Sequence, residues 1–369
     1  MPGRSTRTRL SLPDFPWNSL AGAAGTAREH PGGLVDLSVG TPVDPVADVL
    51  QAALSSAAAA PGYPATRGTA ALREAAVAAM ARRHGVAGLD ADAVLPTIGS
   101  KELIAWLPTL LGLGPGDVVV IPRLAYPTYE VGARIAGADV MRADGLTSLG
   151  PARPTLVYVN SPSNPTGAVL PAPHLRKVVD WARERDALVV SDECYLGLAW
   201  DAEPVSVLHP DVNDGRLDGL LAVHSLSKTS SLAGYRAGFV TGDPRMVAEL
   251  LEVRKHAGMI VPCPVQAAMT AALSDDEHAR VQRERYALRR AALLPAIRAA
   301  GFRVEHSMAG LYLWVTRDEP CRATVAWFAA RGILVAPGEF YGPSGGSHVR
   351  IALTATDERI AAAVARLGS

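Results

Sequence analysis

From about Asp44 to Val240 the chain alternates amphipathic runs with short β-branched runs. That order is expected of a mainly parallel sheet covered by helices. Strands are predicted over 118–121, 156–160, 188–191, 220–224 and 237–241. Asp44-Pro45 supplies an N-cap and a proline at N1, so a helix is predicted to run on from Val46 to Ala60. Thr69 opens another, ending near His84-Gly85. Beyond Pro244 the pattern changes to three helical stretches as far as Ala300, then short strands over 302–305, 311–315, 333–335 and 349–352, and a last helix from Thr356. Three parts follow. Residues 1–43, broken by Pro13, Pro16 and Pro31, read as an extended arm that must dock elsewhere, on the smaller domain, to be ordered. Residues 44–245 read as a large α/β domain and 246–369 as a small α+β domain.

Composition narrows the function classes. At 369 residues the chain exceeds one usual domain and has ample core for an enzyme. Its 36 basic and 36 acidic residues balance. With no Lys/Arg-rich block or aromatic-interleaved basic stripe, neither nucleic acid nor an anionic membrane is the expected partner, and small molecules are. Cys194, Cys263 and Cys321 show no disulfide or zinc spacing. No apolar run is long enough to span a bilayer, and residues 1–9 lack a leader's hydrophobic segment, so the cytoplasm is the expected compartment.

In an open α/β sheet, ligands bind beyond the carboxyl ends of the strands. Three polar groups fall there. Asn160-Ser161-Pro162-Ser163-Asn164-Pro165-Thr166-Gly167 follows one strand, Asp192-Glu193-Cys194-Tyr195 the next, and Ser225-Leu226-Ser227-Lys228 a third, with Gly234-Tyr235-Arg236-Ala237-Gly238 just beyond. A lysine that is to attach to an aldehyde cofactor must be partly desolvated, and a cofactor phosphate needs hydroxyl and guanidinium donors. Lys228 suits the first task, and Ser225, Ser227 and Arg236 the second. Each residue also has a plainer reading: a solvated loop lysine, an aspartate capping a loop, an asparagine shaping a turn.

The set NPTG, DExY, SxSK and GxRxG, in this order, resembles the fold type I pyridoxal phosphate aminotransferases of class I and II, over most of the chain. That resemblance implies a mainly parallel, seven-stranded type of sheet in the large domain and pyridoxal 5'-phosphate as cofactor. It implies that Lys228 carries the cofactor and then moves the proton, that Asp192 pairs with the ring nitrogen, and that Asn164 and Tyr195 bond the phenolic oxygen. Tyr126 matches the family's ring-stacking aromatic, and Ser100 and Lys101 its phosphate loop at a helix start. Arg350 matches the reader of the substrate carboxylate and Gly40 a backbone contact to it. Tyr63, in Gly62-Tyr63-Pro64, matches a tyrosine that reaches the neighbouring subunit's phosphate, which implies a homodimer with shared active sites.

Segments 14–20, 30–44, 63–68 and 256–262 look like those of actinobacterial succinyldiaminopimelate aminotransferases. The implied reaction transfers the amino group of glutamate to N-succinyl-2-amino-6-oxopimelate, giving N-succinyl-LL-2,6-diaminopimelate in lysine biosynthesis. Arg67, Lys101 and Lys255 are candidates for the distal carboxylates, while Thr229-Ser230-Ser231-Leu232 departs from that family's pattern. Other class I/II aminotransferases and pyridoxal β-lyases share the same cofactor motifs. Ser225 and Lys228 also spell SxxK, the serine-hydrolase pattern, but the serine follows a strand and no SDN triplet occurs. A pyridoxal-binding regulator would need a DNA-binding segment that is not seen.

Overall fold

The computed structural model describes residues 12–368. The stretch 1–9, read above as lacking a leader, lies outside them. The fold is α/β, of the expected type. Its main sheet has seven strands in the order Val94–Ile98, Ala237–Gly242, Leu220–Ser225, Leu188–Asp192, Leu156–Asn160, Val118–Ile121, Asp139–Arg142. All neighbours are parallel except at Ala237–Gly242, which runs antiparallel to both its partners. The central strands are buried along their length because helices cover both faces. Alternate residues therefore feed two cores: Val157, Val189 and Ala222 pack with Leu72, Met80 and Leu175, while Tyr158, Val190 and Val223 pack with Leu103, Ile104 and Tyr129.

A second set of elements holds its own core, in which Leu293, Ile297, Phe302, Leu313, Val315, Phe328 and Ile351 meet Leu20, Ala24 and Leu37. Its antiparallel sheet runs Ala336–Pro337, His348–Ala352, Tyr312–Thr316, Arg303–Glu305.

Three expectations need correction, and two strands lie outside those expected. The helix expected from Asp44 runs Asp48–Ser56, because the Asp44 carboxylate is taken by Arg289 and Gln282 instead of capping a helix. Residues 16–28 are helical rather than extended: a 3-10 turn Pro16–Leu20 leads into a helix Ala21–Arg28 whose Ala24 and Ala27 are buried. The strand expected over 333–335 is two strands in different sheets, and Ile333–Leu334 pairs in parallel with Val35–Asp36. The sheet's edge strands, Val94–Ile98 and Asp139–Arg142, were not among those predicted. The helix from Thr69 is as expected, capped by the Thr69 hydroxyl and ended by Gly85 at φ +64°.

Candidate active site

The strand ends bring Asn160 and Asp192 side by side in register. The Asn160 amide donates to the carbonyl oxygens of Asp192 (2.9 Å) and Pro162 (3.1 Å), and its own oxygen accepts from the Asn164 N–H at 2.7 Å. One side chain thus ties the Asp192 strand to the turn that presents Asn164. Asp192 is buried; its carboxylate accepts from the Tyr129 hydroxyl at 2.7 Å and the Cys194 N–H at 3.2 Å. Burial raises its pKa, against the pull of those donors. Among the described residues it has no cationic partner. A carboxyl buried with neutral donors alone is suited to a cation delivered by a ligand.

Arg350 is the mirror case. It is 2% exposed, donates to Asn164 Oδ1 (2.9 Å) and the Ser38 carbonyl oxygen (2.7 Å), and lies 3.9 Å from the Tyr312 ring centroid. Among the described residues its Nε has no hydrogen-bond partner, and none of its contacts is anionic. A carboxylate ligand would satisfy it.

Lys228 follows its strand into the same space and donates through Nζ to the Gly40 carbonyl oxygen. Burial pushes its pKa down; Tyr312 and Cys194 oppose the shift, while the Arg350 and Arg236 charges add to it. Tyr195 is buried with its hydroxyl 3.0 Å from that of Tyr312, and burial holds it protonated. Tyr126 meets Tyr129 edge-on at 6.2 Å, and the Arg350 and Asp192 charges both act on its hydroxyl.

The helix Ser100–Leu110 starts after Gly99 with no side-chain cap, so no capping side chain satisfies its first N–H groups. Gly99 sits at φ +78°, and a Cβ there would lie 2.3 Å from Arg236 Nη2, so the guanidinium lies against the helix start. Ser225 and Ser227 are buried nearby in sequence to Lys228, Ser225 Oγ accepting from the Ser227 N–H at 3.2 Å. An uncapped helix start beside a guanidinium and two hydroxyls fits a phosphate dianion.

Of the predicted residues, Lys228, Asp192, Tyr195, Asn164, Arg350 and Gly40 are joined by direct contacts or through Tyr312 and Cys194. Ser100, Lys101 and Arg236 gather at the helix start, where the Arg236 charge helps lower the Lys101 pKa after burial. Tyr63 is fully exposed and makes no contact with the site residues above among the described residues. Arg67 and Lys255 carry surface ion pairs, with Asp92 (3.7 Å) and Glu252 (2.6 Å). Gly40 offers its carbonyl to Lys228, and a Cβ there would meet the Tyr312 hydroxyl at 2.2 Å, so only glycine fits.

Sequence reasoning missed Tyr129, Tyr312, Ser38 and a buried polar seam on the helix Glu277–Ala299. There His278, Gln282 and Tyr286, four residues apart, reach inward with Arg289. Asp275 accepts from His278 Nδ1 (2.7 Å), and His278 Nε2 is hydrogen-bonded to the Ser230 hydroxyl at 2.9 Å. Gln282 donates to Asp44 (2.7 Å), and the Tyr286 hydroxyl donates to the Lys228 carbonyl oxygen at 3.1 Å. The seam pins the loop that carries Lys228. The fourfold spacing was its only signal.

The model of the family "Aminotransferase class I and II" matches residues 33–367. The chain belongs to the class I and II aminotransferases. Its cofactor, on that membership, is pyridoxal phosphate. The chain is 72% identical over 357 residues to a probable aminotransferase of Mycobacterium tuberculosis, covering 97% of this chain and 85% of that one. It is 59% identical over 356 residues to the 4-dedimethylamino-4-oxo-anhydrotetracycline transaminase of Streptomyces rimosus, covering 96% and 99%. Among solved structures, a probable N-succinyldiaminopimelate aminotransferase of Thermus thermophilus superposes with a TM-score of 0.85 at 29% identity, covering 96% and 99%.

Proposed function

We propose that this aminotransferase moves an amino group between glutamate and N-succinyl-2-amino-6-oxopimelate, yielding N-succinyl-LL-2,6-diaminopimelate. The observation that carries transamination is the buried Asp192 and Arg350, opposite in charge and each without an ionic partner among the described residues, with the buried Lys228 near enough to Arg350 to feel its charge. The substrate assignment rests on the segments 14–20, 30–44, 63–68 and 256–262. A second reading is an oxo-anhydrotetracycline as acceptor, favoured by the 59% identity to the Streptomyces enzyme.

Pyridoxal phosphate, when bound, supplies an electron sink for the carbanion at the substrate Cα. The rest is the protein's work. Asp192 would hold the ring nitrogen's proton, Tyr126 would lie against the ring, and Asn164 and Tyr195 would bond its phenolic oxygen. The N–H groups of Ser100 and Lys101, with Ser225, Ser227 and Arg236, would bind the phosphate. Arg350 takes the α-carboxylate in a bidentate pair and so orients the bond to be broken. Lys228, its amine favoured in the neutral form by burial, would take the proton from the substrate Cα and deliver it to the cofactor's C4′. Two half-reactions on one site give ping-pong kinetics. Residues 44–245 would carry the cofactor, while 246–369, with the arm 1–43, would supply Arg350 and close the site. Full exposure of Tyr63 suits a hydroxyl offered to a second copy of the chain, in a homodimer acting on soluble amino and oxo acids.

The test is the visible absorbance of the purified protein with pyridoxal phosphate, before and after glutamate, for the wild type and Lys228→Ala. The wild type should show a lysine-dependent band that glutamate bleaches, and the variant should show neither. No such band in the wild type would refute the reading. Turnover with N-succinyl-LL-2,6-diaminopimelate against 4-dedimethylamino-4-oxo-anhydrotetracycline then separates the two substrates.

A further inference from the structure

On the Met80 and Phe239 side of the strand ends lies a second cavity of about 720 Å³. It shares Cys194 and Ser225 as a wall with the active site and otherwise has different lining residues. At this wall stand Glu193 and His224, 2% and 6% exposed. Glu193 Oε1 accepts from the Val207 N–H at 2.7 Å and the Ser191 and Ser206 hydroxyls lie close to the carboxyl, but Oε2 has no hydrogen bond of good geometry among the described residues. His224 stacks on Phe239 with centroids 4.7 Å apart, and its Nε2 has no partner either. The two atoms are 3.7 Å apart, too far for a hydrogen bond. Buried polar atoms without partners are rare, and two side by side call for a third group.

The size and chemistry of the space indicate which group. Ligand pockets commonly enclose about 300–1,000 Å³, whereas a water occupies about 30 Å³. Met80, Leu196, Val205 and Leu226 make much of the lining apolar. Burial lowers the pKa of His224 to about 3 and that of His84, on the same lining, to about 4, so both imidazoles are neutral. Burial raises Glu193 to about 7. Groups that give up their own charge mark a place where a ligand's charge would be equally unfavourable, so the inner end suits an uncharged donor and acceptor. The lining's exposed cations differ. Arg82 and Arg83 pair with Asp276, and Arg280 with Glu277 and Glu284, whereas Arg283 donates to the Ala199 carbonyl oxygen at 3.1 Å and has no acidic partner among the described residues.

We propose that this cavity is a second ligand site, for a small organic acid that brings an uncharged hydrogen-bonding group to Glu193 and His224 and leaves its carboxylate at Arg283. The site does not depend on which amino acceptor the enzyme uses.

Nicotinate and succinamate, each a carboxylate with an uncharged nitrogen group, are the probes, titrated calorimetrically into holoenzyme carrying Arg350→Ala so that the active-site carboxylate reader is gone. The same titration into wild-type holoenzyme saturated with 2-oxoglutarate covers the case in which that variant folds poorly. One molecule of at least one probe should bind per chain, with Kd at or below about 5 mM. In the same background, His224→Phe, which keeps the ring stack but removes the nitrogens, should weaken binding at least about tenfold. Arg283→Leu should weaken it about threefold or more. Glu193→Gln, which keeps a donor and an acceptor, should hold affinity within about threefold. An unchanged cofactor absorbance in His224→Phe would show that the neighbouring pocket is intact. If neither probe saturates by about 20 mM, the cavity holds water alone and the proposal falls. Binding indifferent to His224→Phe also overturns it.

Discussion

Asp192 depends on Tyr129 more than its place in the motif reveals. The Tyr129 hydroxyl is one of the donors to a carboxylate buried without a cation among the described residues, so Tyr129→Phe leaves it only the N–H and thiol of Cys194. Losing a buried hydrogen bond to a charged group should cost about 1.5–3 kcal/mol, read from the urea midpoint, and kcat should fall about tenfold. Glu193 and His224 make opposite predictions about pH. Glu193 titrates near 7 when folded and near 4.5 when unfolded, so the unfolded chain gives up its proton first and stability falls as pH rises between those values. His224, near 3 folded against 6.5 unfolded, adds stability as pH rises through the same window. From pH 4.5 to 6.5, Glu193→Gln should therefore steepen the rise of stability with pH, and His224→Phe should flatten it, as followed by urea unfolding across that range. At this scale the motif residues were legible because strand ends point to ligands. Tyr129, Tyr312 and Ser38 were not, since a hydroxyl on a helix, a ring on a strand and a backbone carbonyl acquire meaning only when the chain folds them onto Asp192 and Arg350.

Among elements, the start of the helix Ser100–Leu110 and the seam of the helix Glu277–Ala299 do the positioning. Gly99→Ala would force a Cβ into the Arg236 guanidinium at a φ unfavourable to alanine. Cofactor affinity should drop at least about tenfold in equilibrium dialysis, with far-ultraviolet dichroism unchanged. His278→Asn with Tyr286→Phe should release the Lys228 loop, seen as faster hydrogen exchange of the amides of 226–232 and about tenfold lower kcat. The buried strands and the helix from Thr69 were readable because burial on both faces and a capping threonine leave a local imprint. The edge strands were not: Val94–Ile98 contains Pro96, and Asp139–Arg142 is half exposed and polar. Asp44 looked like a cap because its neighbour is proline, and only Arg289, far along the chain, overrides that reading.

Across the whole molecule, Arg289 is the clamp. It donates to both Asp44 oxygens (2.8 and 2.5 Å) and to Asp357 (2.7 Å), with its side chain 3% exposed. Arg289→Met would leave the largely buried Asp44 with Gln282 alone, and unfolding stability should fall about 3–5 kcal/mol, measured by denaturant titration. The same reach appears in the segment after the parallel pair Val35–Asp36 and Ile333–Leu334: Ser38 holds Arg350, and Gly40 holds Lys228. A ribosome makes these halves at opposite ends of its work. The first forty residues emerge with nothing to grip, and the lysine's loop waits beside them until the final strands arrive. A translation product truncated before Ile333 would thus have its lysine yet neither the strand that anchors the segment nor the arginine that reads a carboxylate, so activity would report that synthesis had been completed.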